Sequence, residues 1–147
     1  MIDFHNHLIP GVDDGAASLD ESRAALEAYR AQGVRAVVAT PHLRASLADT
    51  PAALDAYLAE VDAAWARLAA LAAAEFPETR LERGFEVMLD TPAPRLDDPR
   101  LRLAGTPFVL VEFPFMTVPP NADRTLFELK VAGWTPVIAH PERYSNA

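Results

Sequence analysis

The sequence predicts an α/β fold built mainly of parallel strands, and three observations carry that prediction. Short β-branched or apolar runs alternate with amphipathic helical stretches, as βαβ units do. The second and fourth runs, Val34–Thr40 and Phe108–Phe113, are almost continuously apolar, the pattern of strands covered on both faces. The 147 residues suffice for one domain with a real core, since a chain of about 150 residues buries roughly 70% of its unfolded surface.

The elements follow in order. Met1 to Phe4 is a short apolar strand leading directly into His5-Asn6-His7, and Pro10, Gly11 and Asp13-Asp14-Gly15 make a loop. Ser18 with Glu21 forms a capping box, and Leu19, Ser22, Leu26 and Tyr29 trace one helical face ending at Gly33. Val34 to Thr40 is a second strand, stopping at Pro41-His42. Thr50 and Pro51 open the longest helix, whose Leu54, Tyr57, Leu58, Val61, Trp65, Leu68 and Leu71 recur at helical spacing and which runs to about Glu75. Leu81 to Val87 reads as a third strand closing near Glu86, and Asp90 to Gly105 as a Pro/Asp-rich loop without a clear helix. After the fourth strand, Asn121 is the expected cap of a helix ending at Gly133, and Trp134 to Ala139 is a fifth strand running into His140-Pro141-Glu142-Arg143.

Composition narrows the chemistry. There is no cysteine, so disulfides and thiolate sites are excluded, and a metal would be held by His, Asp, Glu or backbone oxygen. A formal charge of −8 argues against unspecific binding to nucleic acid, whose affinity comes from Lys and Arg displacing counterions. No apolar run approaches the roughly 20 residues that span a bilayer, and the N-terminus lacks the pattern of a signal peptide, so a cytoplasmic protein is expected.

The chemistry-bearing residues share one position in successive units. His5 and His7 follow the first strand, His42 the second, Glu86 closes the third, Glu112 the fourth and His140 the fifth. In parallel α/β folds, loops from neighbouring strands converge at that end. Alternate residues of an extended segment point the same way, so His5 and His7 can share a cation. Glu112, between Val111 and Phe113, is expected to be desolvated, and needs a cation, a raised pKa or a buried Arg. Asp14 is either a ligand or a turn residue.

Five segments carry a resemblance: Met1 to Gly15 with its His-x-His and Asp-Asp-Gly, Ala39-Thr40-Pro41-His42, Gly84-Phe85-Glu86-Val87, Val111-Glu112-Phe113-Pro114, and Ile138-Ala139-His140-Pro141-Glu142-Arg143-Tyr144. In this order they resemble the polymerase-and-histidinol-phosphatase (PHP) superfamily, and within it the manganese-dependent tyrosine phosphatases of bacterial capsular and extracellular polysaccharide synthesis. The resemblance implies a distorted (β/α)7 barrel with a cluster of up to three divalent metal ions at its mouth, manganese first and iron or zinc as the other candidates. It makes His5, His7, Asp14, His42, Glu86, Glu112 and His140 the metal ligands, Glu86 the bridge, His42 catalytic, and Arg143 the catalytic contact to substrate phosphate.

The implied reaction is hydrolysis of a phosphomonoester, above all phosphotyrosine on a protein such as a tyrosine kinase of polysaccharide export. A small ester such as histidinol phosphate is the alternative substrate. The family pattern continues past residue 147, with a further Asp and His ligand and a second Arg. Residues 1–147 are therefore expected to be a single, truncated PHP-type domain, an incomplete barrel. A second copy or another polypeptide would close it; otherwise it is a fragment of impaired activity or an oligomerisation module.

Overall fold

The computed structural model describes residues 1–146. Among these residues seven strands form, β1 (Ile2–Asp3), β2 (Ala36–Ala39), β3 (His42–Arg44), β4 (Arg80–Arg83), β5 (Glu86–Met88), β6 (Phe108–Glu112) and β7 (Thr135–Ile138). Three α-helices accompany them, α1 (Leu19–Ala31), α2 (Pro51–Glu75) and α3 (Ala122–Val131). Every strand pair is parallel, in two ladders ordered β1-β2-β4 and β3-β5-β6-β7. The chain runs from β2 into β3 across Thr40-Pro41 and from β4 into β5 across Gly84-Phe85. Hydrogen bonds from Gly84 N to Ala39 O (2.9 Å) and from Glu86 N to Pro41 O (3.0 Å) keep the two ladders in register across both breaks. Neighbouring positions in the wall are thus consecutive in the chain, the order of a barrel rather than of a doubly wound sheet.

Those breaks extend one sequence expectation and correct another. His42 follows β2 as expected, and it also opens a further strand, β3, paired in register with Glu86. Glu86 does not close the third strand but opens β5. Pro41 has no N–H to give the ladder, and Gly84 sits where a Cβ would lie 2.8 Å from Leu103 and 3.0 Å from the Arg102 carbonyl. Each strand therefore kinks and resumes, and the resumed segment turns His42 and Glu86 toward a common point.

The helices pack on the outer face of this wall. In α1, Ser18 caps through its Oγ, which accepts from Glu21 N at 3.3 Å, while the Glu21 carboxylate reaches back one residue further, to Ala17 N at 2.7 Å. Ser22 and Leu26 face the core. Along α2, Leu54, Leu58, Val61, Ala64, Leu68 and Leu71 are buried, each large side chain contributing about 1.5–3 kcal/mol. Pro51 opens α2 as expected, although the Thr50 side chain makes no capping bond. Asn121 likewise fails as a side-chain cap of α3: with φ −103° and ψ 16° it is not extended, because the preceding turn, Ala122 N to Pro119 O at 3.0 Å, holds it there.

Between β5 and β6 the crossover is made by loop and two short 3-10 turns, Pro99–Leu101 and Leu103–Gly105, pinned by buried Leu96, Leu101 and Leu103. On the inner face a smaller cluster of Val38, Leu103, Leu110 and Ala139 leaves Ile2, Phe4 and Phe108 exposed. Strands β1 and β7 stand at outer ends of their ladders.

Candidate metal centre

His5-Asn6-His7 is held in place by its middle residue. The Asn6 amide donates to Asp3 Oδ1 (3.0 Å) and Val38 O (3.1 Å), and its backbone N–H and C=O are bonded to Thr40 Oγ1 (3.1 Å) and Thr40 N (2.8 Å). With the segment clamped to β2, the flanking imidazoles both face inward. His42 comes from the first residue of β3, and the Tyr57 hydroxyl of α2 donates to its carbonyl. His140 follows β7 in the left-handed region (φ 35°, ψ 57°), a conformation costing an L-residue about 1–2 kcal/mol. This turn sends its ring back over the strand ends.

The four imidazoles meet at one carboxylate. Glu86 Oε2 lies 3.1 Å from His5 Nε2, 3.1 Å from His7 Nε2 and 3.3 Å from His42 Nδ1, and Oε1 lies 2.9 Å from His140 Nε2. Glu86 is 1% exposed. Glu112, also buried, approaches His42 Nδ1 and His140 Nε2, each at 3.4 Å. Among the described residues its ionic partners are imidazoles and not an arginine. Asp14 Oδ1 stands 3.3 Å from His42 Nε2 on the solvent side, with its side chain 81% exposed. All seven expected ligands thus converge. Arg143 is exposed on the turn Pro141–Arg143 that follows His140, outside this cluster of contacts.

The electrostatics follow from crowding. Burial pushes the Glu86 carboxyl up, but hydrogen bonds from His5 and His7 and the neighbouring rings hold it well below the usual carboxylate range. His7 is raised to about 10, first by its hydrogen bond to Asp13 and then by that to Glu86. The Glu112 carboxylate beside its ring raises His42.

Sequence reasoning missed Asp13, whose carboxylate is bonded to His7 Nδ1 at 2.8 Å. It also missed Tyr57 and Tyr144, the latter accepting from Phe113 N at 3.0 Å beside Glu112. The Asp13-Asp14-Gly15 triplet marked the turn, and only the turn's conformation assigns each carboxylate a side.

The donors fit divalent cations. Three groups of ligand atoms, His7-Asp13-Asp14-His42, His5-Glu86-His140 and His42-Glu86-Glu112, each lie within 4.8 Å of one another, and they are imidazoles and carboxylates, which suit manganese, iron or zinc. The buried Nδ1 of His42 has no hydrogen-bond partner although two carboxylates flank it, as expected of a lone pair reserved for a cation.

A wall of parallel strands that gathers imidazoles and carboxylates beyond its strand breaks and carboxyl ends defines a class of parallel α/β proteins with a donor set that could hold metal ions. The chain belongs to the CpsB/CapC family of capsular polysaccharide synthesis, whose sequence model matches residues 1–147. It is 33% identical over 151 residues to the tyrosine-protein phosphatase YwqE of Bacillus subtilis, covering 97% of this chain and 55% of that protein. It is 34% identical over 154 residues to the tyrosine-protein phosphatase CpsB of Streptococcus pneumoniae, covering 98% and 58%. A solved structure from work on YwqE and CpsB, described as unique metal-dependent tyrosine phosphatases, superimposes with a TM-score of 0.70 at 31% identity over 97% of this chain and 56% of that one. The chain therefore spans a little over half the length of these relatives.

Proposed function

We propose that this chain holds the metal centre of a metal-dependent protein-tyrosine phosphatase acting in capsular or extracellular polysaccharide synthesis. The observation that carries the proposal is the buried Glu86 carboxylate in contact with all four imidazoles. The names of the relatives, tyrosine-protein phosphatases of the same family, support it. In this reading His5, His7, Asp14, His42, Glu86, Glu112 and His140 are the ligands, Glu86 is shared between ions, and manganese is the metal. When bound, divalent ions supply Lewis acidity toward phosphoryl oxygens and lower the pKa of water. The residues of the chain orient the ester: Arg143 presents a fork of N–H donors that matches phosphate oxygens bidentately, and Glu86 and Glu112 keep the centre anionic enough to retain cations. The chain offers no thiolate nucleophile, so the reaction proposed is direct hydrolysis. The substrate proposed is a phosphotyrosine protein of the cytoplasm, such as a tyrosine kinase of polysaccharide export.

Calorimetric titration of chelator-treated protein with manganese, followed by assay on a phosphotyrosine peptide and on histidinol phosphate, tests this. Expected are binding of manganese, turnover of the peptide in preference to the small ester, and loss of turnover in His42→Ala. Absence of manganese binding overturns the metal centre; binding without turnover overturns the activity of this chain and leaves the centre.

A second reading is favoured by the exposed inner residues Ile2, Phe4 and Phe108 and by the outer strands β1 and β7. These edges fit a second copy or another polypeptide that completes the wall, and a solution mass of a dimer is the expected result.

A further inference from the structure

Two adjacent aspartates at the centre occupy opposite environments. The Asp14 side chain is 81% exposed and that of Asp13 is 6% exposed. Asp13 lies behind the ring of His7, on the side away from Glu86: its Oδ2 is 2.8 Å from His7 Nδ1, whereas His7 Nε2 is 3.1 Å from Glu86 Oε2. The same Oδ2 accepts from the backbone N–H of His42 at 3.1 Å, and Oδ1 accepts from Gly15 N at 3.0 Å. Both oxygens are therefore engaged from within the chain. The rings these contacts orient, His7 and His42, are stacked with centroids 4.4 Å apart.

An ionised carboxylate accepts hydrogen bonds and donates none. Facing Asp13, the Nδ1 of His7 must carry its proton, and the nitrogen left to offer a lone pair is Nε2, the one aimed at Glu86. Resting on the metal-centre reading above, we propose that Asp13 is the positioning residue of the centre and not one of its ligands: it fixes the tautomer of His7 so that Nε2 binds the ion, and it anchors the backbone of His42. Asp14, one residue on, faces the ion from the solvent side. Such carboxylate-imidazole pairs behind a ligand orient it and raise its basicity.

All three groups that Asp13 meets are donors, so an amide cannot replace it. With the Asn oxygen toward His7 and His42, its NH2 confronts Gly15 N–H. With the oxygen toward Gly15, its NH2 confronts His42 N–H and favours the His7 tautomer that protonates Nε2. Either orientation sets a donor against a donor.

The test is ring-15N histidine NMR on the chain, free of ions and with zinc, which is diamagnetic, together with calorimetric manganese titration of wild type, Asp13→Asn, His7→Ala and the double variant. Expected is a hydrogen-bonded Nδ1–H on His7 in the wild type, with Nε2 moving on zinc addition. Asp13→Asn should lose that Nδ1–H signal and weaken manganese binding about 10- to 100-fold, and most of that loss should vanish when His7 is already Ala. Equal loss in both backgrounds with an unchanged His7 ring overturns the proposal in favour of direct ligation by Asp13 or a purely structural role. Zinc binding to His7 through Nδ1 in the wild type overturns it without recourse to any variant, which covers an Asp13→Asn chain that fails to fold. A wild type that binds no ion refutes the metal centre and the proposal with it, whereas ion binding through His7 Nδ1 refutes the proposal alone.

Discussion

Glu86→Gln removes the charge on which four imidazoles converge, and its size follows from the contacts. Glu86 is 1% exposed and lies 2.9–3.3 Å from His5, His7, His42 and His140, so the amide deprives the raised imidazolium of His7 of one of its two carboxylate partners in a buried site. Breaking a buried pair by removing one partner costs about 3–5 kcal/mol. For a chain near 150 residues each kcal/mol corresponds to roughly 2–4 °C in Tm, so a fall of about 6–20 °C is expected for the chelator-treated protein at neutral pH. Saturation with a divalent ion at about 1,000 times its Kd raises stability by about 4 kcal/mol in the wild type, and Glu86→Gln should lose most of that increment. Urea unfolding and thermal melts, each with chelator and with manganese, measure both quantities. A variant as stable as the wild type, with the same rise on manganese addition, would refute the argument that Glu86 organises the site.

Other expectations follow from the same geometry. His7 has its folded-state pKa raised from 6.5 to about 10, so the stability it gives the ion-free protein is fully present below about pH 6.5 and is lost as pH rises toward 10; urea midpoints at pH 6 and pH 9.5 in chelator should show the fall attributable to His7, and His7→Ala should flatten it. Gly15→Ala places a Cβ 2.2 Å from the His7 carbonyl oxygen and 2.3 Å from its Cβ, so the variant should bind manganese more weakly in calorimetry, through displacement of His7. Leu58→Ala, at a position 1% exposed on α2, should cost about 2–5 kcal/mol in denaturant unfolding while leaving the manganese affinity of the folded protein unchanged.

Much of this molecule is legible in its sequence because local physics dictates it. The apolar runs that become β2 and β6, the helical spacing of Leu54, Leu58, Val61, Leu68 and Leu71, and the Ser18 cap each follow from burial or from a local hydrogen bond. So does the recurrence of His5, His7, His42, Glu86, Glu112 and His140 at one position in successive units, because parallel strands bring such positions together. The stop at Pro41 was legible, because proline has no N–H for the ladder; the break at Gly84 was not, since it depends on the Leu103 loop closing over Gly84, a contact between residues distant in the chain. Nor was the failure of Asn121 as a cap, which the turn before it decides.

The sequence by itself determined the chain's parallel α/β order and the identity of the residues that converge at its centre. Tertiary structure alone decided their division of labour: which carboxylate is buried among the four rings, and which of Asp13 and Asp14 turns inward. Pattern and spacing set the secondary structure and the strand it ends on, whereas the side to which a turn residue points is fixed by the partners that satisfy its hydrogen bonds, here His7, His42 and Gly15.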